Sequence, residues 1–159
     1  VKSFLGKIKL NQLNKSSILV YTGQQRHSDL IEKKKIKNLN KNIAINKKIY
    51  DITKKSLKEF QKKKLNLKII GRMLTHHWEN KKKLDKEITN KKIDKIFKIA
   101  LTNGAYGAKL IGSGNGGFVY VIVPQSKLSL IKKKLSKYVQ VNISFESQGS
   151  TVIYNDENF

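Results

Sequence analysis

The sequence predicts an α+β domain, in which an antiparallel sheet of about four strands carries helices packed on one face. Residues 17–22, 108–111 and 118–123 are short apolar and β-branched runs bounded by turn residues, which is typical of strands. Between them, three segments repeat apolar residues at helical spacing. Because no repeat or low-complexity linker interrupts this order, we expect one domain over residues 17–159.

The first half of the chain predicts one strand and three helices. The strand, residues 17–22, ends at Gly23 and leads into a polar loop, the kind of segment that often carries function. A helix over 38–63 has imperfect apolar spacing, at Leu39, Ile43, Ile49, Ile52, Leu57 and Phe60. The next, over 66–83, has a cleaner stripe, at Ile69, Ile70, Met73, Leu74, His77 and Trp78. The third begins at the cap candidates Thr89 and Asn90 and ends near Gly104.

After residue 104 the apolar pattern changes to that of strands. Residues 108–111 and 118–123 flank a glycine cluster, and Pro124 ends the second run. A short helix follows, marked by Leu128, Ile131 and Leu135. We expect a final strand that contains Tyr138, Val141, Ile143 and Phe145, and a further strand at 151–154.

The composition limits the function classes. The chain has 159 residues, a net charge of +23 and no cysteine, which excludes disulfides and thiolate metal sites. No apolar stretch approaches a membrane span, so we expect a cytoplasmic protein without a membrane partner. Basic proteins often bind nucleic acid. However, Arg26 and Arg72 are the only arginines, and an excess of Lys, Asn and Ile is also what an AT-rich coding sequence produces. We therefore expect no specific nucleic-acid partner.

The glycine cluster is the segment that composition does not explain. Four glycines fall within the six residues 112–117. The spacing differs from the dinucleotide fingerprint, and no Gly-Lys-Ser/Thr opens a helix as in a Walker A loop. The strand expected after a protein-kinase glycine loop is also absent. A plain hairpin needs one or two such residues. We interpret the cluster as a loop whose backbone approaches a ligand or a neighbouring loop.

Four segments of the chain carry a family resemblance. They are Tyr21-Thr22-Gly23 with Arg26 and Ser28; Leu74 to Trp78 with Lys81, Lys82 and Leu84; Asn90 with Ile93-Asp94; and Gly104 to Phe118. With them the chain resembles the C-terminal domain of GHMP-type small-molecule kinases, the superfamily of galactokinase, homoserine kinase and mevalonate kinase. The last segment is similar to the pattern G-A-y-G-g-K-l-x-G-A-G-x-G-G-F, with Ala108 for Gly and Ser113 for Ala. Within the superfamily it looks closest to sugar kinases that phosphorylate D-glycero-D-manno-heptose 7-phosphate at the anomeric oxygen.

The resemblance implies a ferredoxin-like fold and a kinase whose active site lies between two domains. Residues 1–16 would then be the tail of an N-terminal domain that the sequence does not include. That domain of the same protein would be the partner of this chain, and it would bind most of the ATP and Mg²⁺. The acceptor would be a sugar phosphate. We expect the chain alone to be inactive, because phosphoryl transfer depends on groups positioned by both domains.

The resemblance also implies two groups of site residues. The nucleotide and phosphate-loop region comprises Gly112, Ser113, Gly114, Asn115, Gly116 and Gly117. The substrate side comprises Thr22, Gly23, Arg26 and Lys82. Each has a plainer alternative, since glycines also serve turns, a lone arginine is common on surfaces, and lysine runs usually face solvent.

We expect no catalytic residue and no metal ligand within this chain. His76 and His77 are adjacent and cannot form the i, i+4 pair of a helical metal site, and His77 is expected to pack near Trp78. A structural salt bridge is the expectation for Lys109, while Asp94 and Glu146 are isolated carboxylates. The alternative function is a stand-alone, non-catalytic basic α+β module that binds nucleic acid or a regulatory ligand.

Overall fold

The computed structural model of the chain describes residues 5–24, 33, 36 and 38–145. Its strands are β1 Ser17–Tyr21, β2 Gly107–Leu110, β3 Phe118–Ile122 and β4 Gln140–Val141. The helices in the described residues are α1 Lys7–Asn14, α2 Ile43–Gln61, α3 Leu67–Lys82, α4 Lys91–Thr102 and α5 Leu128–Lys134. The strands form one antiparallel sheet in the order β2-β3-β1-β4, which confirms the predicted α+β fold.

One face of the sheet forms the main core. Alternate strand residues share a face, and the register places Ile18 opposite Val121, and Val20 opposite Val119. Their partners in this core, all buried, come from the neighbouring strand and three helices: Ala108, Leu110, Trp78, Ile93, Ile96, Phe97 and Ile131. The Trp78 and Phe97 rings stack with centroids 5.2 Å apart. The apolar stripe predicted for α4, together with Trp78 of α3 and Ile131 of α5, therefore faces the sheet.

Helix α3 lies against β2, an edge strand of the sheet. The two elements approach closely because Gly71 faces Gly107: a Cβ built on Gly107 would lie 1.7 Å from the Gly71 carbonyl oxygen. The edge strand also donates its Ala108 N–H to the Thr75 hydroxyl, at 3.1 Å. The edge of the sheet is thus covered and hydrogen-bonded, which fixes the position of α3 beside the loop that follows β2.

Helix α1 is an element that the sequence interpretation does not predict. Its Leu13 packs in a second buried cluster with Leu65, Ile70 and Ile122, and the Lys9 ammonium donates to the Phe60 carbonyl at 2.8 Å. The helix has eight residues and no side-chain cap. A helix this short depends on tertiary packing, which sequence propensity does not register.

Two predicted elements differ in extent from those observed. The helix predicted from residue 38 begins as a 3-10 turn at Asn40–Asn42, and Ile43 and Leu57, expected on its inner face, are 61% and 46% exposed. The final strand is confined to Gln140–Val141, and Phe145 instead donates its N–H to the Asn14 side chain at 2.9 Å. The strand expected at 151–154 lies outside the described residues. Among the described helices, none has the length and apolar character needed to span a membrane.

Candidate phosphate-loop site

The loop between β2 and β3, residues 111–117, has an unusual backbone. Its φ angles are positive at Gly112 (89°), Gly114 (139°), Asn115 (56°) and Gly117 (91°). Side chains other than glycine, and occasionally asparagine, rarely adopt such angles. Four positions of this kind exceed what a tight hairpin requires. The glycines are therefore explained by the loop conformation together with its close contacts.

The segment after β1 anchors one side of the loop. Thr22 donates both its N–H and its hydroxyl to the Gly117 carbonyl, each at 2.9 Å. The Gly117 N–H donates to the Gln24 carbonyl at 3.1 Å, and a Cβ on Gly116 would lie 2.8 Å from that same oxygen. Buried Thr22, predicted on the substrate side, is thus engaged in holding the glycine loop. Its neighbour Gly23 has a φ of 72° and open space around it.

The segment before α4 anchors the other side. The Asn115 N–H donates to the Ile88 carbonyl at 2.8 Å, and a Cβ on Gly114 would lie 3.0 Å from the Ile88 Cα. The Asn90 amide donates to Asn115 Oδ1 at 3.1 Å and to Gln24 Oε1 at 2.8 Å. One asparagine therefore joins the start of α4, the glycine loop and the segment after β1.

Some backbone N–H groups of the loop have a hydrogen-bond acceptor in the described part of the chain, and others have none. The Asn115 N–H donates to the Ile88 carbonyl, and the Gly117 N–H donates to the Gln24 carbonyl. The N–H groups of Gly112, Gly114 and Gly116 have no hydrogen bond to any described residue. Gly114 and Gly116 are also buried. Because buried N–H groups are nearly always paired, those of Gly114 and Gly116 are candidate donors to an anion, and the exposed Gly112 N–H is a third.

The other predicted site residues fall in different places. Lys82 pairs with Glu79 at 3.0 Å within α3, whereas Lys81 donates to the Gly112 carbonyl at the start of the loop. Ser113 has a buried hydroxyl oxygen. Arg26 lies outside the described residues, as does Glu146. No cluster of three metal-ligating side chains occurs in the described part of the chain.

His77 on α3 lies within reach of the charge of Lys109 on β2. Burial, and then the charges of Lys109 on β2 and Lys81 on α3, lower the pKa of His77 to about 4. Burial also lowers the pKa of Lys109, for which no carboxylate partner occurs in the described residues. The salt bridge expected for Lys109 is therefore not formed there. This corner of the site carries positive charge next to a neutral imidazole.

Replacement of Asn90 tests the anchoring of the loop. We expect Asn90→Ala to cost about 1–2 kcal/mol of unfolding free energy, because it removes a helix cap and both side-chain contacts. The Asn90 oxygen accepts from the N–H groups of Lys92 and Ile93. Asn66→Ala is the matched control, since Asn66 caps α3 with one bond, to the Ile69 N–H. Urea unfolding measures both; an equal loss in the two variants would contradict the bridging role.

The buried imidazole predicts a pH dependence of stability. Folded His77 stays neutral down to a pKa of about 4, whereas the unfolded residue takes up a proton near 6.5. Between these values the unfolded state binds more protons, so the free energy of unfolding falls as the pH is lowered. Since the ring is half-buried, solvent screening reduces the effect to roughly 1–2 kcal/mol. In urea unfolding, the difference in unfolding free energy between the wild type and His77→Asn should shrink from pH 7 to pH 4. A difference that stays constant over this range would refute the lowered pKa of His77.

The comparisons with known proteins agree with this geometry. Residues 54–141, more than half of the chain, match the family model for the C-terminal domain of GHMP kinases. The chain is 37% identical over 83 residues to the D-glycero-α-D-manno-heptose 7-phosphate kinase of Campylobacter jejuni, covering 50% of this chain and 24% of that protein. It is 42% identical over 74 residues to the galactokinase of Clostridium tetani, covering 46% of this chain and 19% of that protein.

A solved structure shows the same fold. The mevalonate kinase of Methanococcus jannaschii superimposes with a TM-score of 0.65 at 28% identity, over 84% of this chain and 41% of that one. The chain thus spans less than half the length of each of these three relatives. By its family match and its fold, the chain belongs to the GHMP kinases, and the matched segment is their C-terminal domain.

Proposed function

We propose that this chain is the C-terminal half of an ATP-dependent sugar kinase. The reaction is transfer of the γ-phosphoryl group to the anomeric hydroxyl of a heptose 7-phosphate or a similar sugar. The observation that carries this proposal is that the N–H groups of Gly112, Gly114 and Gly116 have no hydrogen bond within the described part of the chain. Similarity to a heptose 7-phosphate kinase and to a galactokinase supports the sugar as acceptor class.

The loop contributes through fixed backbone dipoles. Phosphoryl transfer is accelerated mainly by positioning and by stabilisation of charge on the transferring group. N–H groups held in place before the reaction stabilise such charge without reorganisation. The contacts of Gly117 with Thr22 and Gln24, and of Asn115 with Ile88, hold the loop in this way. The N–H groups of Gly112, Gly114 and Gly116, which have no partner among the described residues, are therefore held in fixed positions.

The remaining catalytic groups are expected in an N-terminal domain of the same protein. The carboxylate of Asp94 accepts the Thr89 hydroxyl at 2.9 Å and lies on the exposed start of α4. We assign it no role as a base. Mg²⁺, when bound with ATP, neutralises phosphate charge, and we expect that domain to hold most of both. On this proposal the chain by itself shows no turnover.

Family membership favours a kinase over a non-catalytic basic module. The lysines are spread over most exposed helix faces, and the match to GHMP kinases, residues 54–141, covers the glycine loop and its anchors Ile88 and Asn90. A nucleic-acid reader would require base contacts that a lysine-rich, arginine-poor surface supplies poorly.

An acceptor screen tests the proposal. The polypeptide encoded by the complete gene is incubated with ATP, Mg²⁺ and, in turn, D-glycero-D-manno-heptose 7-phosphate, galactose or mevalonate. Phosphorus NMR identifies the product, and the 159-residue chain is assayed in parallel. We expect an anomeric phosphate from the heptose 7-phosphate and none from the chain alone. A phosphorylated mevalonate or absence of any product would refute the sugar assignment, and turnover by the chain alone would refute the two-domain requirement.

A further inference from the structure

Three side chains form a basic corner beside the start of the glycine loop: His77, Lys81 and Lys109. His77 and Lys81 lie one turn apart on α3, and the Lys81 ammonium donates to the Gly112 carbonyl. Lys109 lies on β2, between Ala108 and Leu110, which both point into the main core. Since strand residues alternate, Lys109 projects from the opposite face, where its charge and that of Lys81 both act on His77.

The Lys109 side chain is half-buried. No carboxylate lies within ion-pair distance of its ammonium group among the described residues. Tyr120, its cross-strand neighbour, has its hydroxyl paired with Ser17 at 2.8 Å. Burial of an unpaired cation costs stability, as the lowered pKa of Lys109 reflects. A bound anion would compensate this buried charge and offset the loss of stability.

His77 adds a second unsatisfied group to the same corner. Its Nδ1 atom is buried and has no hydrogen-bond partner in the described part of the chain. The imidazole is neutral at pH 7 because burial and the two lysines lower its pKa to about 4. An anion between the lysines would remove the repulsion and give the ring nitrogen an oxygen partner once the ring is protonated.

We propose that Lys109, Lys81 and His77 form a binding site for phosphate oxygens at the entry of the glycine loop. Gly112, whose carbonyl accepts from Lys81, makes no N–H hydrogen bond to a described residue and lies next to these side chains. The proposal rests on the proposed kinase function for the source of the phosphate. The same chemistry is offered by the polyphosphate tail of a nucleotide and by the phosphomonoester of a sugar. Lysine ammonium groups bind both as point charges.

Calorimetric titration of the 159-residue chain at about 0.15 M salt tests the site. The probes are sodium tripolyphosphate, for the nucleotide tail, and glucose 6-phosphate, for the sugar. Because the net charge is +23, general attraction of anions must be separated from a site. Lys98→Gln, on the exposed face of α4, removes the same charge elsewhere and is the control. We expect Lys109→Gln to weaken binding of the preferred probe by about tenfold, and Lys98→Gln by less than about twofold.

The outcomes are distinct. Preferential loss for tripolyphosphate assigns the site to the nucleotide, and preferential loss for glucose 6-phosphate assigns it to the acceptor. Equal weakening in both variants, or no binding of either probe, overturns the proposal. Binding requires no turnover, so an inactive complete protein with intact Lys109-dependent binding would refute the kinase function and leave the site standing.

A measurement on the wild type keeps the test independent of variant folding. Histidine ring signals are followed by NMR as the probe is added, with exposed His76 on the same helix as internal reference. We expect the pKa of His77 to rise and its ring signals to move more than those of His76. Equal movement of the two histidines would indicate a diffuse ionic attraction and contradict a site.

Discussion

Replacement of Gly107 by alanine is expected to cost about 4 kcal/mol or more of unfolding free energy, or to abolish cooperative folding. The added Cβ would lie 1.7 Å from the Gly71 carbonyl oxygen and 2.2 Å from its carbon. Both are helix backbone atoms and cannot move aside alone. Helix α3 would have to separate from β2, which would disrupt the packing of Trp78 against the sheet. Urea unfolding followed by circular dichroism measures the loss.

The control for this change is Gly6→Ala. A Cβ at Gly6 meets no atom within 4 Å, and its φ of −67° suits alanine. We expect a change below about 1 kcal/mol. If Gly107→Ala unfolded at the same urea concentration as Gly6→Ala, the close approach of α3 to β2 would be wrong.

Replacement of Gly114 by alanine is expected to reduce kinase turnover of the complete gene product by at least about a hundredfold. Gly114 has a φ of 139°, which alanine rarely adopts, and the Cβ would meet the Ile88 Cα at 3.0 Å and its carbonyl oxygen at 3.1 Å. The loop would move away from Ile88 and lose the Asn115 hydrogen bond. A small displacement of donors that stabilise charge is enough to cost two orders of magnitude. Steady-state turnover with ATP and the sugar acceptor measures the effect.

Gly104→Ala separates backbone strain from loss of the site. Gly104 has a φ of 94° at the end of α4, and the nearest atom to its Cβ would be a side-chain carbon of Lys127 at 3.8 Å. We expect a loss of about 1 kcal/mol in stability and turnover within about twofold of the wild type. Similar turnover in the two variants would mean that the glycine loop takes no part in the reaction.

The sheet and most helices could be predicted from sequence because their apolar periods are strong. Helix α4 has its cap at Asn90 and its apolar face at Ile93, Ile96 and Phe97, and both signals agree with the observed helix. Helix α1 could not be predicted, since packing on Leu65 and Ile122 decides it rather than local propensity. Strand β4 is shorter than predicted for a similar reason, because the Phe145 N–H donates to the Asn14 side chain instead of to a strand.

The candidate site was only partly visible in the sequence. The glycine cluster indicated a special backbone, but which N–H groups are used internally depends on Ile88 and Gln24, which lie far away along the chain. The choice between Lys81 and Lys82 depends on helix phase: Lys82 faces Glu79, while Lys81 reaches the loop. The bridge made by Asn90 had a sequence signal, its cap position, but its contacts with Asn115 and Gln24 are tertiary.

The proposed function requires that the N–H groups of the glycine loop without a partner among the described residues face a phosphate. Amide NMR of the complete gene product with Mg²⁺ and a non-hydrolysable ATP analogue tests it directly. We predict that the amide signals of Gly112, Gly114 and Gly116 move more than those of Asn115 and Gly117, whose N–H groups are already bonded. Signals that stay in place while the nucleotide binds, or larger shifts at Asn115 and Gly117, would contradict a phosphate contact of these N–H groups.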